Sequence, residues 1–307
     1  MDVKIVIIGL GIAGRDHARA LEHFTGATVV AVVDPDPSQT LTFRGCQVPV
    51  YSGVLDAKSR HDPDVIVIAS PTPTHARVCD EVTEHFPAAR VLIEKPAAAD
   101  LSEARRVIAG KQSVSVAFHM AYSPEVDWAL RVARARAADL GPPVAIESAS
   151  ADPYQGDLAS ARSRLGNSWI DTGINALSVI DRFAVPVRRN SLRRLGEESW
   201  SAYEGIFTCH AEGQTLTAVV LTSWYASDRS RSTRIKYASG AELVMDHNAV
   251  SGYLIENSSI TSIFGTDGSV SRRESHYRAL YASWLAAQEI VFPTAASLRL
   301  HELLLEP

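Results

Sequence analysis

Residues 3–14 read VKIVIIGLGIAG. The first six are mostly apolar and β-branched and stop at glycine, as expected of a strand buried on both faces. Gly9-Leu10-Gly11-Ile12-Ala13-Gly14 then matches the pattern G-x-G-x-x-G, which is weak when it stands alone. Here it is followed by a helical stretch, 14–24 (GRDHARALEHF), and a second apolar strand, 28–33 (TVVAVV). Asp34 closes that strand, twenty residues after Gly14. Strand, loop, helix and acidic residue in this order form a dinucleotide-binding fingerprint. The first glycine permits the tight turn, the second lets the backbone approach a pyrophosphate, and the third allows close helix–strand packing. Helix amides and the positive end of the helix dipole complete an anion site. The plain alternative is a tight turn with no ligand.

Gly9, Gly11, Ile12, Ala13, Gly14 and Asp34 are therefore the expected cofactor contacts. Asp34 would accept hydrogen bonds from the ribose hydroxyls, and a 2′-phosphate would meet this carboxylate and that of Asp36. No arginine follows directly, which favours NAD over NADP. Asp34 also suits a simple turn role ahead of Pro35.

Apolar strands continue at 64–69 (DVIVIA) and 90–93 (RVLI), with helical patterns at 76–85, 101–110 and 124–138. That alternation predicts a Rossmann-type α/β domain with a parallel sheet, covering residues 1–120. From 121 to 307 the pattern changes. VAIESASA (144–151) reads as a strand. Most of 187–264 is β-rich: VRRNSLRRL, GIFTCHAE, TLTAVVLTSWY, STRIKYAS, ELVMD, GYLIEN and SITSIFG. Antiparallel strands fit this best, giving an α+β domain with an open antiparallel sheet. Helices near 276–290 and 294–304 close the chain and have room to pack back on the first domain.

Composition sets bounds. The 307 residues are 46% apolar and 21% charged, ordinary for globular chains. A net charge of −5 gives no case for nucleic acid. No apolar run approaches a membrane span and no signal peptide is expected. Cys46, Cys79 and Cys209 are far apart and read as free thiols in a reducing cytoplasm. No Cys/His spacing suggests a metal site.

Two motifs lie at strand ends, where open α/β sheets hold ligands. Ser70-Pro71-Thr72-Pro73-Thr74-His75 follows the strand at 64–69, and Glu94-Lys95-Pro96 follows that at 90–93. A lysine between a carboxylate and a proline is a held lysine, able to polarise a substrate oxygen or relay its proton. It is equally a surface charge pair before a turn. Further along, 168–183 (SWIDTGINALSVIDRF) places Asp171 and Asn175 one helical turn apart, aimed the same way.

GLGIAG, SPTPTH, EKP and DTGIN, in this order, make the chain resemble the Gfo/Idh/MocA family of sugar and cyclitol oxidoreductases. The likeness covers most of the chain. It implies a Rossmann domain plus an open-faced sheet domain, a homodimer or homotetramer built on that sheet, and a cis peptide before Pro96. It makes Lys95 the active-site lysine, with Ser70, Pro71, Thr72, His75 and Glu94 flanking the nicotinamide and its ribose. Many members carry D-x-G-x-H; this chain has Asn175 in the histidine position. Many have an arginine where Ala121 stands. The run DTGINALS is most similar to the short bacterial aldose 1-dehydrogenases acting on galactose or arabinose, although 152–167 does not match their sugar-binding segment.

The implied activity is NAD(P)-dependent oxidation of a CH–OH group of an aldose or related polyol. Asparagine cannot serve as a base but can orient a hydroxyl. Lys95 is assigned to polarising the reacting oxygen, Asp171 to accepting its proton, and Asn175 to holding the hydroxyl. Asp171 alternatively caps the helix starting near Thr172. His119, Tyr154 and Trp169 are further substrate candidates, the first two with plain structural readings and Trp169 as wall or core. Asp152 and Gln155 are either hydroxyl-reading or ordinary loop residues. Arg229, Arg231, Arg234 and Lys236 are expected on a solvated strand edge. Two other functions fit the same fold. One is a ketone or imine reductase. The other is a dinucleotide-binding sensor without catalysis, against which the intact EKP argues.

Overall fold

The computed structural model describes residues 2–36, 38–110, 113–154, 157–195, 201–287 and 292–306. The chain divides into two units, residues 1–117 with 273–298 and residues 118–272 with 299–307.

The first unit begins β1 (Val3–Ile8), α1 (Ile12–Leu21) and β2 (Ala27–Val33). A small hairpin, β3 (Leu41–Phe43) and β4 (Cys46–Val48), precedes β5 (Val50–Tyr51) and α2 (Val54–Lys58). Then come β6 (Val65–Ile68), α3 (His75–His85), β7 (Arg90–Glu94), α4 (Leu101–Ile108) and β8 (Val114–Ala117). Six of these strands form a parallel sheet in the order β5-β2-β1-β6-β7-β8. Ile5, Ile7, Ile66, Ile68, Leu92 and Ile93 are almost wholly buried, as strands covered on both faces require. The register aligns Ile8 with Val33 and Ile68, and Ile68 with Ile93. The residues that follow them, Gly9, Asp34, Ala69 and Glu94, therefore leave the sheet along one carboxyl edge.

The second unit holds α5 (Pro124–Ala135), α6 (Ala137–Leu140), β9 (Pro143–Pro153) and α7 (Leu158–Leu165). A π turn, Trp169–Gly173, runs into α8 (Ile174–Ile180). Seven strands follow: β10 (Val185–Arg194), β11 (Ala202–Ala211), β12 (Gln214–Ser223), β13 (Tyr225–Tyr237), β14 (Glu242–Asp246), β15 (Ser251–Glu256) and β16 (Ser259–Gly265). Helices α9 (Arg272–Ala287) and α10 (Thr294–Leu305) end the chain. The sheet order is β10-β11-β12-β9-β13-β14-β15-β16. One face is buried, through Ile146, Ser148, Ser150 and Asp152 of β9 and Leu216, Ala218, Val220 and Thr222 of β12. The alternate residues are largely exposed, so the period-2 reading holds.

The sheet is mostly antiparallel, as expected, with one exception: β12 pairs with β9 in parallel. A parallel neighbour needs a long crossover, and α7, α8, β10 and β11 supply it. The solvated-edge expectation for β13 is corrected. β13 lies inside the sheet, between β9 and β14. Arg231 and Arg229 turn to Asp152, whose side chain is fully buried, at 2.7 and 2.8 Å. Only Arg231 is drawn under cover by the buried carboxylate; Arg229, Arg234 and Lys236 keep exposed side chains, so these three are solvated although the strand is not an edge.

Candidate functional site

Gly9 has φ +94° and opens the tight turn. A Cβ on it would come within 2.7 Å of the Ser70 amide nitrogen, and one on Gly14 within 2.0 Å of the Gly9 carbonyl oxygen. A Cβ on Gly11 would meet nothing within 4 Å. Two glycines are thus demanded by the protein's own packing, and the middle one opens onto space. α1 starts beside that space with no side-chain cap and no acidic residue in its first turn. Its amides remain available to an anion, which fits a pyrophosphate.

The four strand-end loops are tied together. The amide of Leu10 donates to Oδ2 of Asp34 at 2.7 Å, and that of Asp36 to Oδ1 at 3.0 Å. Asp34 is therefore also the turn residue that its place before Pro35 suggests. Thr74 Oγ1 lies 2.8 Å from Ser70 Oγ and 2.7 Å from the carbonyl oxygen of Pro71. Thr72 begins this short 3-10 turn. His75 is buried, with Nδ1 3.0 Å from the carbonyl oxygen of Pro96 and Nε2 2.8 Å from that of Ser70. Burial outweighs both carbonyls and pushes its pKa below the ordinary 6.5. A neutral ring carries one N–H, so one carbonyl at a time is satisfied. His75 thus braces the SPTPTH loop against the EKP loop. The Lys95–Pro96 peptide is cis.

Glu94 turns inward. Its Oε1 accepts from Tyr277 Oη at 2.6 Å and from His17 Nε2 at 3.0 Å, and its Oε2 accepts the Lys95 amide at 3.2 Å. Desolvation raises its pKa. The His17 hydrogen bond and charge, the Tyr277 hydroxyl and the Lys95 charge outweigh it and hold the carboxyl below the ordinary 4.5. His17 Nδ1 lies 2.8 Å from Tyr281 Oη. Motif reading missed His17 and Tyr277. The available signal was a lone histidine three residues after Gly14, on the packed face of α1.

In the second unit the helix starts earlier than the motif suggests. Asn167 Oδ1 accepts the amide of Ile170 at 2.8 Å and acts as the cap. Asp171 lies inside the first, π-type turn, so the capping alternative for it falls. Single π turns are rare and often mark functional positions. Asn175 is 5% exposed, and its Oδ1 is buried with no hydrogen-bond partner among the described residues. Burial, with the charges of Asp171 and Asp152, pushes the Tyr154 hydroxyl up, which places Tyr154 in the field of both carboxylates. Asp152 belongs to β9 and is not a loop residue. Gln155 lies outside the described residues. His119 sits, largely buried, in a short 3-10 turn with Ala121. Trp169 has the placement of core rather than of a substrate wall. Its ring, 2% exposed, stacks on Phe207 at 6.0 Å between centroids, and its Nε1 donates to the Leu304 carbonyl at 2.9 Å.

No group of three or more His, Cys, Asp or Glu among the described residues is placed to hold a metal ion. No helix among them is long and apolar enough to cross a membrane.

Residues 3–122 match the family model described as an oxidoreductase family with an NAD-binding Rossmann fold. The matched family model is that of Gfo/Idh/MocA, and it covers less than half of the chain. The chain is similar to the inositol 2-dehydrogenase of Ralstonia nicotianae, at 30% identity over 190 residues, 59% of this chain and 54% of that protein. It is also similar to that of Acidothermus cellulolyticus, at 38% identity over 136 residues, 40% of this chain and 38% of that protein. The matched segments thus span about half or less of these curated relatives. The fold is shared with scyllo-inositol dehydrogenase from Lactobacillus casei, a structure with bound NAD(H) and scyllo-inositol. The TM-score is 0.72 at 18% identity, over 98% of this chain and 94% of that one. The Gfo/Idh/MocA match ends at residue 122, so the roles of Asp171 and Asn175 rest on their own chemistry.

Proposed function

We propose that this chain is an NAD-dependent dehydrogenase that oxidises one hydroxyl of a cyclic polyol or aldose. The observation that carries the reading is Lys95, held at the sheet's carboxyl edge by the buried, ionised Glu94, on the same edge as an anion-ready glycine loop. Binders without chemistry have no use for such a lysine. The similarity to inositol 2-dehydrogenases supports a polyol, so cyclitols are tested beside the aldoses suggested by the DTGINALS motif.

NAD, when bound, supplies the hydride-accepting nicotinamide. Gly9, Gly11, Ile12, Ala13 and Gly14 would face its pyrophosphate, and Asp34 its adenosine ribose. Ser70, Pro71, Thr72 and Lys95 would line the nicotinamide end, with His75 and Glu94 holding that edge from behind. Lys95 polarises the reacting oxygen. Asn175 orients the substrate by accepting a hydrogen bond from a neighbouring hydroxyl through its unsatisfied Oδ1, and Asp171 takes the proton of the reacting hydroxyl. A buried acceptor without a partner is costly unless a ligand supplies the donor.

The test is to mix the protein with NAD and a panel of myo-inositol, scyllo-inositol, galactose, arabinose and glucose, following absorbance of the reduced cofactor. Turnover of a panel member that Lys95→Met abolishes is expected. Full turnover in Lys95→Met, or NADH consumption with ketones and imines alone, would overturn the assignment.

A further inference from the structure

We propose that His17 and Tyr277 are positioning residues for Lys95, acting through the carboxylate of Glu94. The inference rests on the reading of Lys95 as the reacting lysine, but it concerns residues that no motif assigns.

Glu94 is the last residue of β7 and directly precedes Lys95. Its side chain is 8% exposed. An ionised carboxylate only accepts hydrogen bonds, so the geometry fixes every donor. His17 must carry its proton on Nε2. Tyr277 donates its hydroxyl, and the Lys95 backbone amide closes the set on Oε2. In the neutral form of His17, Nδ1 then accepts from Tyr281. The His17 and Tyr277 rings lie 4.4 Å apart, which leaves little freedom to either donor.

A carboxylate taken out of water contributes little net stability even when well paired. An amide in its place would offer one acceptor oxygen and set its NH2 against either the Lys95 amide or the His17 and Tyr277 donors. What the ion adds is a fixed orientation of its own strand end. Two donors from different helices hold one oxygen, and the other oxygen holds the amide from which the Lys95 side chain projects. One donor belongs to α1, whose first turn faces the cofactor space. The other arrives from α9, 183 residues away in sequence. Charge-assisted bonds of this kind are the stronger class and the most directional. A displacement of one ångström at a reacting group can cost about a hundredfold in rate.

The test reads the lysine itself and needs no substrate. Tyr277→Phe, His17→Leu and His17→Gln are treated with N-hydroxysuccinimidyl acetate, and initial acetylation of Lys95 is measured by mass spectrometry relative to Lys58 and Lys236. Tyr277→Phe and His17→Leu should each change the relative rate at Lys95 by about fivefold or more. His17→Gln, which still offers an N–H, should stay within about twofold of the parent. A purely structural role would shift the thermal midpoint without singling out Lys95. Lys95 rates within about twofold of the parent in both disruptive variants would overturn the proposal. If His17→Leu does not fold, Tyr277→Phe, which removes a single oxygen atom, decides. Unchanged turnover in Lys95→Met would defeat the dehydrogenase reading while leaving this labelling result as measured, so the two failures are distinct.

Discussion

The Leu10 amide donates to Oδ2 of Asp34 at 2.7 Å, so the carboxylate proposed to hold the adenosine ribose also shapes the glycine loop. Asp34→Ala removes both effects. NADH binding, followed by fluorescence titration, should weaken about tenfold or more, or about 1.4 kcal/mol. The preference for NADH over NADPH should narrow at the same time, because the carboxylate that repels a 2′-phosphate is gone. An undiminished preference would show that Asp34 is a turn residue only.

Gly11 and Gly14 should separate binding from folding. At Gly14 a Cβ would sit 2.0 Å from the Gly9 carbonyl oxygen. Gly14→Ala should lower the thermal midpoint sharply, an overpacking cost of about 1–3 kcal/mol or more. At Gly11 a Cβ would meet no protein atom within 4 Å, which favours tolerance of Gly11→Val by the fold. The variant's thermal midpoint should stay close to the parent's while NADH affinity falls about tenfold or more, since the side chain occupies the pyrophosphate approach. Calorimetry of both variants, with and without NADH, checks the contrast.

Glu94 gives a pH signature. Its folded pKa lies below the ordinary 4.5. A depressed carboxylate stabilises the fold above its unfolded pKa, and that contribution is lost as pH falls through the folded value. Tyr277→Phe removes one of the groups that lower it, so desolvation, the largest influence, raises the folded pKa. Acid destabilisation of the variant should then begin at higher pH than in the parent, read as thermal midpoints between about pH 3 and 6.

Trp169 should be a packing residue in every assay. Trp169→Ala should cost about 3–5 kcal/mol in urea unfolding. Gly205→Ala should cost nearly as much, because a Cβ there would come 2.5 Å from the Trp169 ring. A Trp169→Ala protein of parental stability but altered sugar preference would restore the substrate-wall reading.

The thiols should report burial. Cys46 is exposed, whereas Cys79 and Cys209 are buried. Burial pushes the Cys79 thiol up and that of Cys209 to about 12. Ellman's reagent should titrate one thiol quickly in the native protein and all three after denaturation.

How far the sequence could be read follows from where each signal is stored. The glycine loop, Asp34 and the strand ends carrying SPTPTH and EKP are local patterns, and local patterns survive in one dimension. The brace on Glu94 is not local. Tyr277 looks like any aromatic residue on α9 until the fold brings it to Oε1. The β13 arginines were assigned to an edge because charge on a strand does not reveal which strands flank it. The parallel β9–β12 pair is hidden likewise, since periodicity reports faces and not neighbours. The cap alternative for Asp171 arises because Asp is a leading cap residue. Asn167, four positions earlier, took that role, and no pattern announces a π turn.

The first unit is completed by residues 273–298. During vectorial synthesis the ribosome releases the whole of the second sheet before it releases Tyr277, Tyr281 and Trp284. Until then the nascent Rossmann half holds Glu94 and His17 without their aromatic partners, and Ser115 without the indole that donates to it at 3.3 Å. A fragment ending at residue 117 should therefore behave as an unfinished domain, prone to capture by chaperones. Adding a peptide of residues 273–298 in trans should restore its protease resistance.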